Sequence, residues 1–208
     1  EFKHKNKEIQ MVELRAPTYG GVGYPKTDIY VKFNQRVSRF GTEMKISLKK
    51  DNAGFIESWV TPVRMEQIFG KGEAIKLAKK GLALLNDVGM GGRSKAPYGH
   101  FTIYHKKDKQ WVKTLDTKEA LEVYSATRKF KSTKEAIANC YFKGVVPENI
   151  STLIDKCVTM KTMASTYPCY LKVRGYGQQT SGAYVKVKIG NKEHWEFSPR
   201  WKAYYGLK

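Results

Sequence analysis

Two stretches in which apolar and polar residues alternate constrain the fold of this chain most strongly. Residues 28–33 and 43–48 each carry an apolar side chain at every second position. Those positions are Ile29, Val31, Phe33, Met44, Ile46 and Leu48. Because successive side chains of a strand point to opposite faces, this pattern predicts two β-strands with one face on a core. Residues 34–41 between them are expected to form a hairpin loop.

The same alternation gathers charged residues on the other face of the two strands. If the strands pair, Asp28, Glu43 and Lys45 should converge on one polar surface. Two carboxylates and an ammonium group suit a hard cation such as Mg²⁺ and an attacking water. The competing interpretation is an ordinary exposed ion pair between Glu43 and either Lys45 or Lys32, which contributes roughly 0–1 kcal/mol.

The charge balance of the chain indicates a polyanionic partner. The 208 residues contain 38 Lys and Arg against 19 Asp and Glu, a net charge of +19. Such an excess repels itself in the compact state, and nucleic acid is its most common partner. The basic residues are spread along the chain rather than collected on one amphipathic helix, which disfavours a membrane surface. No apolar run approaches the roughly 20 residues needed to span a bilayer.

The number and spacing of the cysteines indicate whether the protein belongs to a reducing or an oxidising compartment. Cys140, Cys157 and Cys169 are odd in number and have no close C-x-x-C spacing. We therefore expect small buried thiols in a reducing cytoplasm, in a bacterial or phage context, rather than a disulfide framework or a zinc site.

Local signals elsewhere predict an α/β protein with a mixed central sheet flanked by helices. The charged residues 1–10 are expected to form a short helix or an extended arm. Helices are expected from Pro62 to Leu85, interrupted at Gly70 and Gly72, and over residues 117–129, 133–142 and 150–163. Strands are expected over residues 101–104, 169–174 and 183–189. We expect one domain, 1–208, with a core of about 1–60 and 166–208 and a helical insertion or DNA-binding subdomain of about 62–165.

One segment resembles a known family. Pro25-Lys26-Thr27-Asp28, followed after a strand and a loop by Glu43-Met44-Lys45, resembles the motif of the PD-(D/E)XK nuclease superfamily, which has the restriction-endonuclease-like fold. The resemblance covers residues 8–50. Lys26 and Thr27 separate the proline from the aspartate here, whereas the name of the family writes the two residues as neighbours.

The resemblance implies hydrolysis of phosphodiester bonds. Asp28 and Glu43 would bind Mg²⁺, or Mn²⁺ in its place, and the main-chain carbonyl of Met44 would complete the ligand set. Lys45 would orient the attacking water and stabilise the developing charge. Family members frequently add an upstream glutamate, for which Glu13 is preferred. The alternatives for that position are Glu8 and Glu1.

The expected contacts to DNA surround this site. They are Arg36, Arg39, Lys49 and Lys50, together with Gln178 and Gln179 of a polar loop. The glycines of residues 20–23 would allow close approach of the backbone to a ligand. The function implied is a restriction-like, Mg²⁺-dependent DNA endonuclease, expected to be a homodimer because cutting two strands needs two sites. The alternatives are a Holliday-junction or other structure-selective nuclease, and a basic nucleic-acid-binding protein without enzymatic activity.

Overall fold

The computed structural model describes residues 1–18, 24–89, 95–131, 133–175, 178 and 180–208. The strands are β1 (Phe2–His4), β2 (Lys7–Ile9), β3 (Met11–Arg15), β4 (Ile29–Phe33), β5 (Glu43–Lys49), β6 (Phe55–Glu57), β7 (Tyr98–Tyr104), β8 (Trp111–Thr114), β9 (Cys140–Lys143), β10 (Val158–Thr159), β11 (Tyr170–Gly175), β12 (Tyr184–Ile189) and β13 (Lys192–Phe197). The helices are α1 (Pro62–Phe69), α2 (Lys71–Val88), α3 (Thr117–Ser125), α4 (Ile150–Lys156), α5 (Met160–Thr166) and α6 (Pro199–Tyr205). Short 3₁₀ helices cover Ser38–Phe40 and Lys134–Ala136.

The chain forms two compact units, each built from two segments. The first contains Glu1–Ala53 and Ala120–Tyr167, and the second contains Gly54–Glu119 and Pro168–Lys208. This differs from the expected core of about 1–60 and 166–208 with a helical insertion of about 62–165. The reason is strand pairing: β11 pairs with β7 and β8, whereas β9 pairs with β5.

The first unit is built on a mixed five-stranded sheet in the order β10-β9-β5-β4-β3. Strands β3, β4 and β5 are antiparallel neighbours, β9 is parallel to β5, and β10 is antiparallel to β9. The apolar positions of β4 and β5 lie in one core, which confirms the alternation read from the sequence. That core joins Val31, Phe33, Met44, Ile46, Cys140 and Phe142 to Leu153 and Ile154 of α4.

Helices cover both faces of this sheet. Helix α4 packs against the apolar face through Leu153 and Ile154. On the opposite face, Tyr124 of α3 packs edge-on against Tyr141 of β9, with ring centroids 5.9 Å apart. The α/β class and the mixed, helix-flanked sheet are therefore confirmed.

The second unit is an antiparallel sheet in the order β13-β12-β7-β11-β8, with β6 also pairing with β7. Helix α2 approaches it closely at Gly81, where a Cβ would lie 2.5 Å from Tyr184 Oη and 2.8 Å from Phe101 Cζ. The Tyr184 hydroxyl donates to the carbonyl of Ala78 at 2.6 Å. Trp201 of α6 packs against Phe101 in the same core, with ring centroids 5.5 Å apart.

Several expected elements differ from the structure. Helix α2 continues through Gly72, and the helix expected over 117–129 ends at Ser125. Residues 1–10 are a β1–β2 hairpin rather than a helix or arm. The helix expected over 133–142 is a 3₁₀ turn followed by β9, because Cys140–Lys143 has a long-range strand partner in β5. The helix expected over 150–163 is broken after Lys156 by β10, which pairs with β9.

All three cysteines are buried thiols, as expected. Among the described residues, no helix combines the length and the apolar character that a membrane crossing requires.

Candidate functional site

Asp28 lies just before β4 and adds one more backbone hydrogen bond to the pairing of β4 with β5. Its backbone N–H donates to the carbonyl of Ile46 at 2.8 Å, next to the Ile29–Ile46 pair. Its carboxylate Oδ2 accepts the backbone N–H of Leu48 at 2.7 Å. The Leu48 N–H lies beyond the start of β4, so the Asp28 side chain accepts it in place of a backbone carbonyl. Asp28 itself stays exposed.

The register of this strand pair separates Asp28 from Glu43. Glu43 pairs with Lys32 at the far end of β4. The Leu48 N–H bound by Asp28 lies five residues beyond Glu43, which is about 17 Å along a strand at about 3.3 Å per residue. A Mg²⁺ ion binds its ligands at about 2.0–2.1 Å, so these two carboxylates cannot hold one ion in this arrangement. The residues that the structure describes contain no group of three or more His, Cys, Asp or Glu side chains suited to a metal.

Glu43 and Lys45 have structural partners instead. The Tyr30 hydroxyl donates to Glu43 Oε1 at 3.1 Å, and Lys45 Nζ donates to the carbonyl of Lys134 at 3.2 Å. Burial, followed by the hydrogen bond to Glu43, raises the pKa of Tyr30 to about 12. Met44 is fully buried and pairs with Val31, so its backbone lies inside the sheet.

Glu13 belongs to a cluster centred on Arg15. The Arg15 guanidinium donates to the carboxylates of Glu13 and Glu135 and lies 4.9 Å from the Tyr30 ring centroid. These bonds, the one to Glu135 first, raise the pKa of Arg15. Glu13 therefore lies on the same sheet face as Glu43 and is ion-paired with Arg15, a cation that it shares with Glu135. The alternatives, Glu8 and Glu1, are exposed in the N-terminal segment.

The structure brings Asp28 beside a second triplet of the same strand, Ser47-Leu48-Lys49. Because Ile46 is paired with β4, Leu48 directs its N–H and C=O to the same side, where the Asp28 carboxylate lies. Ser47 is buried, with 2% of its surface exposed, and Lys49 is on the same strand face by alternation. By the same register Ser47 lies opposite Asp28, so Asp28, Ser47 and the Leu48 backbone belong to one short stretch of the β4–β5 pair. We name Asp28, Ser47, Leu48 and Lys49 the Asp28 cluster.

Sequence reasoning missed this cluster for two reasons. Strand alternation fixes the face of a side chain but leaves the register between two strands open. Ser47 is also not an acid, so the triplet did not match a carboxylate motif. The available signal was a repeated pattern in β5: a polar residue, an apolar residue and a lysine occur at 43–45 and again at 47–49.

The expected DNA contacts have different surroundings. Arg36 and Lys50 are exposed beside the sheet of the first unit, and Lys49 is half-buried. Arg39 donates to the carbonyls of Asp155 and Cys157, so it anchors the end of α4. Gln178 is exposed in the second unit. Gln179 and the glycines of residues 20–23 lie outside the described residues.

Comparison with known proteins gives no relative. No protein-family model matches this chain, and no significant match is found among the curated proteins or the solved structures.

Proposed function

We propose that this protein is a Mg²⁺-dependent DNA endonuclease whose site is the Asp28 cluster rather than Asp28 with Glu43 and Lys45. The observation that carries the proposal is the 2.7 Å bond from the Leu48 N–H to the Asp28 carboxylate, which fixes an acid beside a Ser-x-Lys triplet. The net charge of +19 supports a nucleic-acid substrate.

The oxygen atoms of the Asp28 cluster fit a hard cation. Mg²⁺ keeps several waters and is commonly bound through one or two carboxylates together with substrate phosphates, so one carboxylate is enough. Asp28 and the Leu48 carbonyl would hold it. A bound Mg²⁺ or Mn²⁺ would polarise the phosphate and lower the pKa of a water molecule.

The protein's own groups position the DNA. Lys49 supplies a cation that stabilises negative charge developing on the scissile phosphate. The exposed cations Arg36 and Lys50 would contact flanking phosphates, which carry no sequence information by themselves. Lys45 has no part in this account because it pairs with Tyr30, two residues along the strand from the position opposite Asp28.

Cleavage of supercoiled plasmid tests the proposal. We expect the protein to nick or linearise DNA with Mg²⁺ and to stop when EDTA is added. Asp28→Asn keeps an acceptor for the Leu48 N–H but loses the charge, and it should lower the cleavage rate at least 100-fold without unfolding the protein. The matched control is Glu43→Gln, which retains an acceptor for Tyr30 and should cut within a few-fold of the wild-type rate. Equal rates for the wild type and Asp28→Asn would refute the proposal.

The second candidate is a basic nucleic-acid-binding protein without enzymatic activity. It is favoured by the net charge of +19, which can bind nucleic acid without any metal site. DNA binding with no metal-dependent cleavage, for linear, branched and single-stranded substrates alike, would establish it. Cleavage confined to branched DNA would instead indicate a structure-selective nuclease. A homodimer remains a prediction, which the molar mass in solution with bound DNA would test.

A further inference from the structure

A groove in the second unit combines lysines with a tryptophan ring. It has a volume of about 340 Å³ and lies between α2 and β8. Its lining includes Glu73, Lys76, Leu77, Lys80, Trp111 and Lys113. Leu77 and its neighbour Val112 are buried and form a rigid base, whereas Lys76 and Lys80 are exposed at the helix surface.

Trp111 is half-buried and lies next to two lysine side chains. Lys107 Nζ lies 4.0 Å from the ring centroid and Lys80 Nζ lies 5.0 Å from it. The indole N–H is covered and has no acceptor among the described residues. A large aromatic surface is therefore held at a positively charged groove.

The charge of the groove favours an anionic ligand. Lys113 is neutralised by Glu119 at 2.9 Å and lies 4.0 Å from Glu73. Glu73 is the one acid among the described lining residues, against the cations of Lys76 and Lys80 and the neighbouring Lys107.

We propose that this groove binds single-stranded nucleic acid, with a base stacked on Trp111 and phosphates on Lys76, Lys80 and Lys107. Stacking of a base on an aromatic ring strengthens binding by about 5- to 150-fold, whereas an exposed cation–π contact is worth only about 2- to 5-fold. A base can therefore displace a lysine from the ring, and the released ammonium group gains a phosphate. A paired duplex keeps its bases stacked on one another and offers the ring no free face.

This inference goes beyond the proposed nuclease and does not depend on it. The groove residues all belong to the second unit, whereas the Asp28 cluster belongs to the first.

The test is the fluorescence anisotropy of a labelled 12-nucleotide oligothymidylate titrated with the full chain in EDTA. Trp111→Leu removes the aromatic face and should weaken binding at least fivefold, and Lys80→Gln should weaken it several-fold. Trp111→Phe keeps a ring and should remain within about threefold of the wild type. The matched control is Lys79→Gln, an exposed lysine of the same helix outside the groove lining, which should bind within twofold.

A second measurement does not depend on any variant. An oligonucleotide of the same length without bases should bind the wild type at least fivefold more weakly, and so should the corresponding duplex. The proposal is overturned if the abasic strand or the duplex binds as tightly as the single strand, or if Trp111→Leu binds like Lys79→Gln. Because this binding is measured in EDTA, where metal-dependent cleavage cannot occur, failure of the nuclease proposal and failure of this one are distinguishable.

Discussion

At the residue scale, Asp28 has a structural and a proposed chemical role at once. Its carboxylate oxygen Oδ2 accepts the Leu48 N–H and so holds the start of β4 against β5. The fold therefore places a carboxylate at the strand end that is bonded to a backbone N–H, in contrast to Glu13, whose carboxylate is bonded to Arg15.

His100 should make the stability of the protein depend on pH. It is 3% exposed, packs 4.2 Å from the Trp59 ring centroid, and burial lowers its pKa to about 4 from 6.5. The unfolded chain therefore takes up a proton below pH 6.5 that the folded chain resists. The free energy of unfolding should fall by about 1–2 kcal/mol as the pH decreases from 7 to 5.

Urea unfolding at both pH values, followed by tryptophan fluorescence, measures this loss. His100→Phe should show a smaller decrease than the wild type. The control is Lys79→Gln, an exposed substitution that leaves every histidine in place and should keep the wild-type pH dependence over this range. A wild-type decrease that persists in full in His100→Phe would contradict the assignment.

At the element scale, Asn139 joins β5 to the start of β9. Its side-chain oxygen accepts the N–H of Lys45 at 2.7 Å, and its side-chain nitrogen donates to the carbonyl of Glu43 at 2.9 Å. Its own backbone N–H donates to the carbonyl of Lys45 at 2.9 Å. The Glu43-x-Lys45 segment is therefore held through its backbone.

Replacing Asn139 should destabilise the protein without changing the chemistry of the Asp28 cluster. Asn139→Ala leaves one backbone donor and one acceptor without partners and should lower the free energy of unfolding by about 1–3 kcal/mol. Asn139→Asp keeps the acceptor for the Lys45 N–H but places a carboxylate oxygen against the Glu43 carbonyl, so its loss should be at least as large. Chemical denaturation gives the values, and a stability equal to wild type in Asn139→Ala would show that the bridge is unimportant.

The elements that sequence could predict are those fixed by local signals. Thr61 caps α1 with Pro62 at its first position, and Asp116 and Glu119 exchange the reciprocal bonds of a capping box before α3. The alternation of β4 and β5 also holds. Strand β9 was missed because it owes its structure to β5, about 90 residues earlier in the sequence, and nothing local marks that partner.

At the scale of the whole molecule, the net charge of +19 should make the proposed binding to DNA sensitive to salt. Each phosphate neutralised by a lysine or arginine releases a counterion, so affinity falls as salt rises. We expect duplex binding, measured by anisotropy in EDTA, to weaken at least about tenfold between 50 and 200 mM NaCl. An affinity unchanged over this range would show that the charge does not contact the backbone.

The division of the molecule could not be predicted from local patterns. Residues 166–208 were expected to join the core of residues 1–60 because both segments are rich in alternating strands. Strands β11 and β12 instead pair with β7, and the two units share the chain in alternating segments. The same limit explains the site: Asp28 and β5 were identified, but only the register shows that Asp28 lies beside Leu48 and not beside Glu43.

The location of the site is tested most directly by comparing two lysines of one strand. Lys45 and Lys49 lie on the same face of β5, four residues apart, and only Lys49 belongs to the Asp28 cluster. In Mg²⁺-dependent plasmid cleavage, Lys49→Ala should lose at least 100-fold in rate, whereas Lys45→Ala should stay within a few-fold of the wild type. The reverse order, with Lys45→Ala inactive and Lys49→Ala active, would contradict the account.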